Sequence, residues 1–187
     1  EAIVKTAEYL DFKTKMLVLM RYAVTVCNTD LSQSVCTGMT LPELNAIAEK
    51  TIAQALTEKI STYTLTSPAE LPSKAGSVTA AYRKGIRIQP EIQHLFRCLE
   101  TNGITPYICS ASQEDGVRVF ACHPEYGYCL KPEQVFGRRR LRNADGIFTD
   151  SRDYSIPQTW REGKAEAIQT LIAPRHGGKA PILVAGD

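Results

Sequence analysis

The chain lacks any run of the ~20 apolar residues that a membrane-spanning helix needs. Its most apolar window, Met16 to Val26 (MLVLMRYAVTV), is broken by Arg21 and suits a packed helix better. It also lacks an excess of either charge. Lys and Arg total 22 against 20 Asp and Glu, a net of +2 that makes no electrostatic case for nucleic acid or an anionic membrane. There is no CxxC and no second paired ligand set beside Cys122-His123, which disfavours zinc. No GxGxxG follows a strand. The RHGGK run at 175–179 is not a P-loop, since no Gly stands five positions before Gly178 and Ala180 replaces the Ser/Thr. No signal peptide is visible, and position 1 is Glu rather than Met, so a mature product or an excised segment is expected.

What is present is ordinary globular composition, 43% hydrophobic and 22% charged, on a length that fits one domain or one and a half. Six cysteines in so long a chain do not make a disulfide miniprotein. Cys98 and Cys109 read as core thiols in a helix and a strand. Cys27 and Cys36 bracket one polar loop, and Cys122 and Cys129 bracket another. Either pair is a bridge in an oxidising compartment or two reduced thiols at loop edges, and in an extracytoplasmic protein Cys27 and Cys36 are expected to pair.

Residues 1–80 read as a helical domain with its linker. Ile3 to Val26 is one helical region, expected to break near Asp11. Thr40 with Glu43 forms a capping-box pattern ahead of the stripe Leu44, Ile47, Ala48, Ile52, Ala55 and Leu56. The stretch 64–79, rich in Pro, Ser, Thr and Gly, is the expected linker.

Residues 81–187 change rhythm. Pro90 opens a helix with Ile92, Leu95, Phe96 and Leu99 on its apolar face, and Asn102-Gly103 closes it. A buried strand at 104–109 runs into Ser110, with Ser112 expected to cap the next helix. Strands VFGRRRL and GIFTD meet at Asn143–Gly146, a hairpin signal. A helix over Lys164–Ile172 leads to a last strand, PILVAGD. The order predicts an α/β fold, a partial Rossmann-like parallel-sheet core carrying an inserted hairpin, with an N-terminal helical cap. The run Arg138-Arg139-Arg140 with Arg142 is read as a solvated hairpin face.

Open α/β sheets bind ligands at the carboxyl ends of their strands. Two expected strand ends are polar here: Ser110, and Gly186-Asp187. A hydroxyl with the following N–H groups suits an anion, and an Asp suits a hard cation such as Mg²⁺. Lys164 places a cation at a helix start, where it is out of place by ~0.3–1 kcal/mol unless an anion sits nearby. Phosphoryl transfer calls for such a set.

The blocks YICSAS, WREGKAEAI and LVAGD, in that order, resemble the haloacid dehalogenase (HAD) superfamily of phosphatases. Within it they resemble the phosphoserine and phosphorylcholine phosphatase type, whose cap helices GMTLPEL is also similar to. The resemblance implies that Ser110 and the Ala111 N–H hold phosphate, that Lys164 neutralises phosphate and nucleophile, and that Asp187 binds Mg²⁺. It further implies a small phosphorylated metabolite as substrate and an aspartyl-phosphate intermediate. One block is missing. No DxDxT occurs, and Asp150-Ser151-Arg152-Asp153 is too widely spaced and out of order, so the nucleophile is expected outside this chain. Two alternatives stand beside this reading: a metal-independent 2-haloacid dehalogenase, and a non-catalytic module with a helical interaction surface.

Overall fold

The computed structural model of the chain describes residues 3–27, 31–71, 73–74 and 76–186. The fold is mixed α/β, with five α-helices and six short strands among the described residues. The strands form three pairs, one of them parallel. The chain divides into two compact units, Glu1–Val35 with Ala53–Arg87, and Cys36–Ile52 with Ile88–Asp187. The last change of unit thus follows Arg87, against the boundary expected at residue 80.

In the first unit, helix α1 (Ala7–Thr25) starts on Thr6, whose hydroxyl accepts the Tyr9 N–H. It runs unbroken through Asp11, because that carboxylate faces inward along the helix and takes the Lys15 ammonium one turn on, at 2.7 Å. The stretch expected to be a linker is part of a hairpin instead. Strands β1 (Ser61–Thr66) and β2 (Thr79–Lys84) pair antiparallel in regular register from Ser61↔Lys84 to Thr66↔Thr79. Beyond them the Val78 N–H donates to the Ser67 hydroxyl at 2.9 Å. Thr, Tyr and Leu in alternation favour the ladder over the coil that Pro and Ser signal further on. Helix α1 packs on β2, with the Lys13 ammonium 4.5 Å from the Tyr82 ring centre.

Helix α2 (Leu41–Thr57) begins in the second unit with the capping box that its sequence predicts: the Thr40 N–H donates to Glu43 at 2.8 Å, and the Glu43 N–H donates to the Thr40 hydroxyl. Helix α3 (Pro90–Thr101) likewise opens on Pro and closes at Asn102, with Gly103 left-handed at φ 74°. Its expected apolar face is only partly used. Phe96 stacks on Tyr128, whereas Ile92, Leu95 and Cys98 are exposed, so Cys98 is not a core thiol. The core of this unit is Ala121, Leu130 and Val135, packed by Phe96, Ile108, Val117, Cys122 and Tyr128.

Strand β3 (Ile108–Gln113) pairs parallel with β4 (Val135–Arg138). It therefore starts four residues later than expected and contains Ser110 rather than ending before it. Helix α4 (Glu114–Ala121) follows at once, capped by the Gln113 side chain, which accepts the Gly116 N–H at 2.6 Å; Ser112 is not the cap. The run VFGRRRL is split at Arg139. Its second part, β5 (Arg140–Arg142), makes the predicted antiparallel hairpin with β6 (Phe148–Arg152), and Asn143 Oδ1 accepts the Asp145 and Ile147 N–H groups in the turn. Helix α5 (Gly163–Ala167) continues as a wider π-turn to Ile172.

The last expected strand is not one. Residues 181–186 have no ladder partner among the described residues, and Ile182, Leu183 and Val184 are exposed. An apolar β-forming run needs a neighbour to satisfy its N–H and C=O groups, and none is paired with it here.

Gly137 on β4 packs directly against the start of α4. A β-carbon there would stand 2.5 Å from Glu114 Cα and 2.8 Å from its N, both backbone atoms that cannot rotate aside. Gly137→Ala should therefore destabilise the fold by about 1–3 kcal/mol, read as a fall in the urea midpoint at unchanged m-value.

Candidate functional site

The SAS segment lies where the parallel ladder breaks. Cys109 pairs with Phe136 and Gln113 with Arg138, so four steps along β3 answer two along β4. Ser110, Ala111 and Ser112 bulge out between those pairings. Bulges of this kind free backbone groups and re-aim side chains, and they are frequent beside binding sites. Two hydrogen bonds hold the bulge. The Ser112 N–H donates to Ser110 Oγ at 3.1 Å, and the fully buried Thr159 hydroxyl donates to the Ser110 carbonyl at 2.5 Å.

Lys164 comes to the same place from α5. Its carbonyl is 4.0 Å from the Cys109 thiol, one residue before Ser110. Burial pushes the Cys109 thiol up, and the Lys164 ammonium pulls it part of the way back. The start of α5 depends on Gly163. A β-carbon there would collide with the Gln158 carbonyl, whose residue belongs to the turn leading into the helix. Arg161 in that turn is left-handed at φ 53°, with its guanidinium 4.6 Å from the Trp160 ring centre. The glycine of the GK pair is thus demanded by a close backbone approach.

An open groove of about 590 Å³ runs along another side of α5, lined by Tyr154, Ile156, Trp160, Gly163, Glu166 and Thr170 among others. Lys164 is not in its lining, so groove and SAS bulge are separate features. Asp153, from the DSRD stretch, is occupied in a turn. It accepts from the Ser155 hydroxyl and N–H, which hold its carboxyl below the usual range.

The arginine run is not a solvated face. Arg138 is 2% exposed with its guanidinium 5.3 Å from the Trp160 ring centre, and Arg140 is 7% exposed and donates to the Asp150 carbonyl. Arg139 donates to Glu114 at 2.7 Å and Arg142 to Asp115 at 2.9 Å. Glu114 and Asp115 follow the SAS bulge after Gln113 alone, so the arginines brace the start of α4 beside it. Sequence reading missed these carboxylates, along with Thr159 and Gln113. The one available signal was two acids in front of a helix with four arginines on a nearby hairpin.

Asp187 lies outside the described residues, as does the 28–30 stretch of the Cys27–Cys36 loop. In the other cysteine loop, the Cys129 thiol donates to the Pro124 carbonyl at 3.3 Å rather than bridging to Cys122. Among the described residues no three His, Cys, Asp or Glu side chains gather as a metal site, so they do not by themselves make a Mg²⁺ centre. No helix among the described residues is long and apolar enough to cross a membrane.

The chain is therefore a mixed α/β protein with a bulged serine segment and a lysine helix at one strand end. No family model matches it. It is similar to the phosphorylcholine phosphatase of Pseudomonas aeruginosa, 35% identical over 117 aligned residues that cover 51% of this chain and 33% of the relative. Its fold matches a conserved, functionally unknown protein from Anaerococcus prevotii DSM 20548 with a TM-score of 0.84 at 31% identity, over 91% of this chain and 46% of that one. The chain thus spans about a third of the curated relative and under half of the structural neighbour.

Thr159 tests how the bulge is held. Thr159→Val keeps the shape but leaves the Ser110 carbonyl without its donor, at an expected cost of about 1–3 kcal/mol. Urea denaturation reads the cost, and a stability equal to wild type would show that the bulge does not depend on this bond.

Proposed function

We propose that the chain is part of a HAD-type phosphatase acting on a small phosphomonoester, with the phosphate seated at the SAS bulge. Similarity to a phosphorylcholine phosphatase supports the substrate class. The observation that carries the reading is the arrival of Lys164, from its own helix, beside the residue preceding Ser110. In this reading the Ser110 hydroxyl and the Ala111 N–H donate to phosphate oxygens, and Lys164 offsets the charge of phosphate and nucleophile. The bulge suits this because a residue outside the ladder keeps its backbone donor for a ligand.

The nucleophilic Asp and its acid/base partner belong to sequence outside residues 1–187, since no DxDxT occurs within them. Asp187 is proposed as one carboxylate ligand of Mg²⁺, which when bound supplies charge neutralisation at the transferred phosphoryl group. The helical part of residues 1–80 is proposed as a cap that selects the leaving group.

Two measurements test this. Residues 1–187 alone should hydrolyse neither para-nitrophenyl phosphate nor phosphorylcholine above background with Mg²⁺ present. Metal-dependent turnover by this chain would show that the nucleophile has been misplaced. Titration with inorganic phosphate should show binding that Ser110→Ala weakens and Lys164→Ala removes. In a longer, active polypeptide Lys164→Ala should lower kcat about 10²–10³-fold. Phosphate binding indifferent to both substitutions would sink the assignment of the site.

A further inference from the structure

Outside the phosphate site, one pair of side chains is placed to act together. His94 and Cys98 stand one turn apart on α3, both exposed, with the imidazole Nε2 3.3 Å from the Cys98 sulfur. Neither packs into the core, although the sequence suggests a core role for Cys98. The turn under them is well held: the Asn102 side chain donates to the Cys98 carbonyl at 2.8 Å, and the Asn102 N–H also bonds that carbonyl.

We propose that His94 and Cys98 form a bidentate nitrogen–sulfur site for a soft divalent cation of the zinc class. The distance is the argument. A zinc ion with bonds of about 2.3 Å to sulfur and 2.0–2.1 Å to nitrogen, at a tetrahedral angle, holds the two donors about 3.6 Å apart. The observed 3.3 Å needs only a few tenths of an ångström of side-chain movement, on a helical turn whose backbone is already fixed. The imidazole already presents Nε2, the atom that would bind. Thiolate and imidazole together favour zinc, cobalt(II) or cadmium over Mg²⁺ or Ca²⁺, whose ligands are oxygens.

No third His, Cys, Asp or Glu joins the pair among the described residues, so water would complete the coordination of a bound ion. Binding replaces the S–H bond by a metal–sulfur bond and releases the thiol proton to solvent. Affinity therefore rises with pH by up to one proton per metal. This site shares no residue with the proposed phosphate site, and its test does not depend on turnover.

Cobalt(II) titrated into reduced residues 1–187 should give a near-ultraviolet thiolate-to-metal band that saturates at one metal per chain. Zinc should bleach that band by displacing the cobalt. Cys98→Ser should abolish the band, and His94→Gln should weaken cobalt binding about tenfold or more, since one donor alone loses the chelate advantage. Both positions are exposed, so both variants should fold, which circular dichroism checks. A Cys122→Ser/Cys129→Ser double variant should keep the band. A band that survives Cys98→Ser, follows the Cys122/Cys129 pair, or ignores His94→Gln overturns the proposal.

Discussion

The buried Glu114 carboxylate organises the unit that carries the serines. It is 1% exposed, and its oxygens take the Gly137 N–H at 3.0 Å, Arg139 Nε at 2.7 Å and the Arg118 guanidinium at 2.7 Å. An unpaired carboxylate at that depth would cost several kcal/mol, so this one is tolerable only because every nearby donor converges on it. Each donor comes from a different element: β4, the segment before the hairpin, and α4 itself. The side chain therefore fixes three pieces of chain relative to the turn between β3 and α4. Asp115 repeats the device with Arg142 at 2.9 Å and with the Gln113 amide at 2.8 Å, the residue that caps α4. Gly137 makes the arrangement possible, because only a residue without a side chain lets β4 approach so close to Glu114.

That brace explains how β3 can carry a bulge without losing its pairing. Ladder contacts at Ile108 and Cys109 hold one side of the SAS segment, and Gln113 against Arg138 holds the other. Between these anchors the chain has two more residues than its partner needs. The excess leaves the ladder, and the Ser110 hydroxyl and the Thr159 hydroxyl take up the backbone groups so released. Removing either anchor would let the extra residues relax into register. A residue shifted by one position in a strand turns its side chain to the opposite face, so the aim of Ser110 depends on carboxylates that never touch it.

Much of this was legible in the chain and some was not. Local signals with a chemical cause came through: the Thr40–Glu43 cap, Pro90 and Asn102-Gly103 around α3, and the Asn143–Gly146 turn. Expectations that need a distant partner fail. Residues 61–66 looked helical or linker-like until β2 supplied a ladder, and 182–184 looked like a strand because Ile, Leu and Val are intrinsically β-forming. Arg138 and Arg140 looked solvated because arginine usually is; nothing local announces that Trp160 and the Asp150 carbonyl will receive them. Order and spacing alone nominate Ser110 and Lys164, and the structure brings the Lys164 backbone beside Cys109. The bulge, Thr159 and the Glu114 brace are properties of pairing register, which a single sequence does not print.

The charges near Ser110 bear on the proposed chemistry. Around Ser110 the described residues offer hydroxyls and backbone donors, the Lys164 backbone lies beside Cys109, and the nearby carboxylates, Glu114 and Asp115, are paired with arginines. Phosphoryl transfer to an aspartate needs the opposite kind of group as well, a carboxylate free to attack, and the positive groups lower its barrier only once it is in place. Under the proposed function Lys164 would have a double task. The charge that holds phosphate would equally hold an approaching carboxylate in its ionised, nucleophilic form by lowering its pKa. On that proposal the close approach of Gly163 to Gln158 fixes where α5 begins, and with it the backbone position from which Lys164 would serve a nucleophile supplied by another segment of chain.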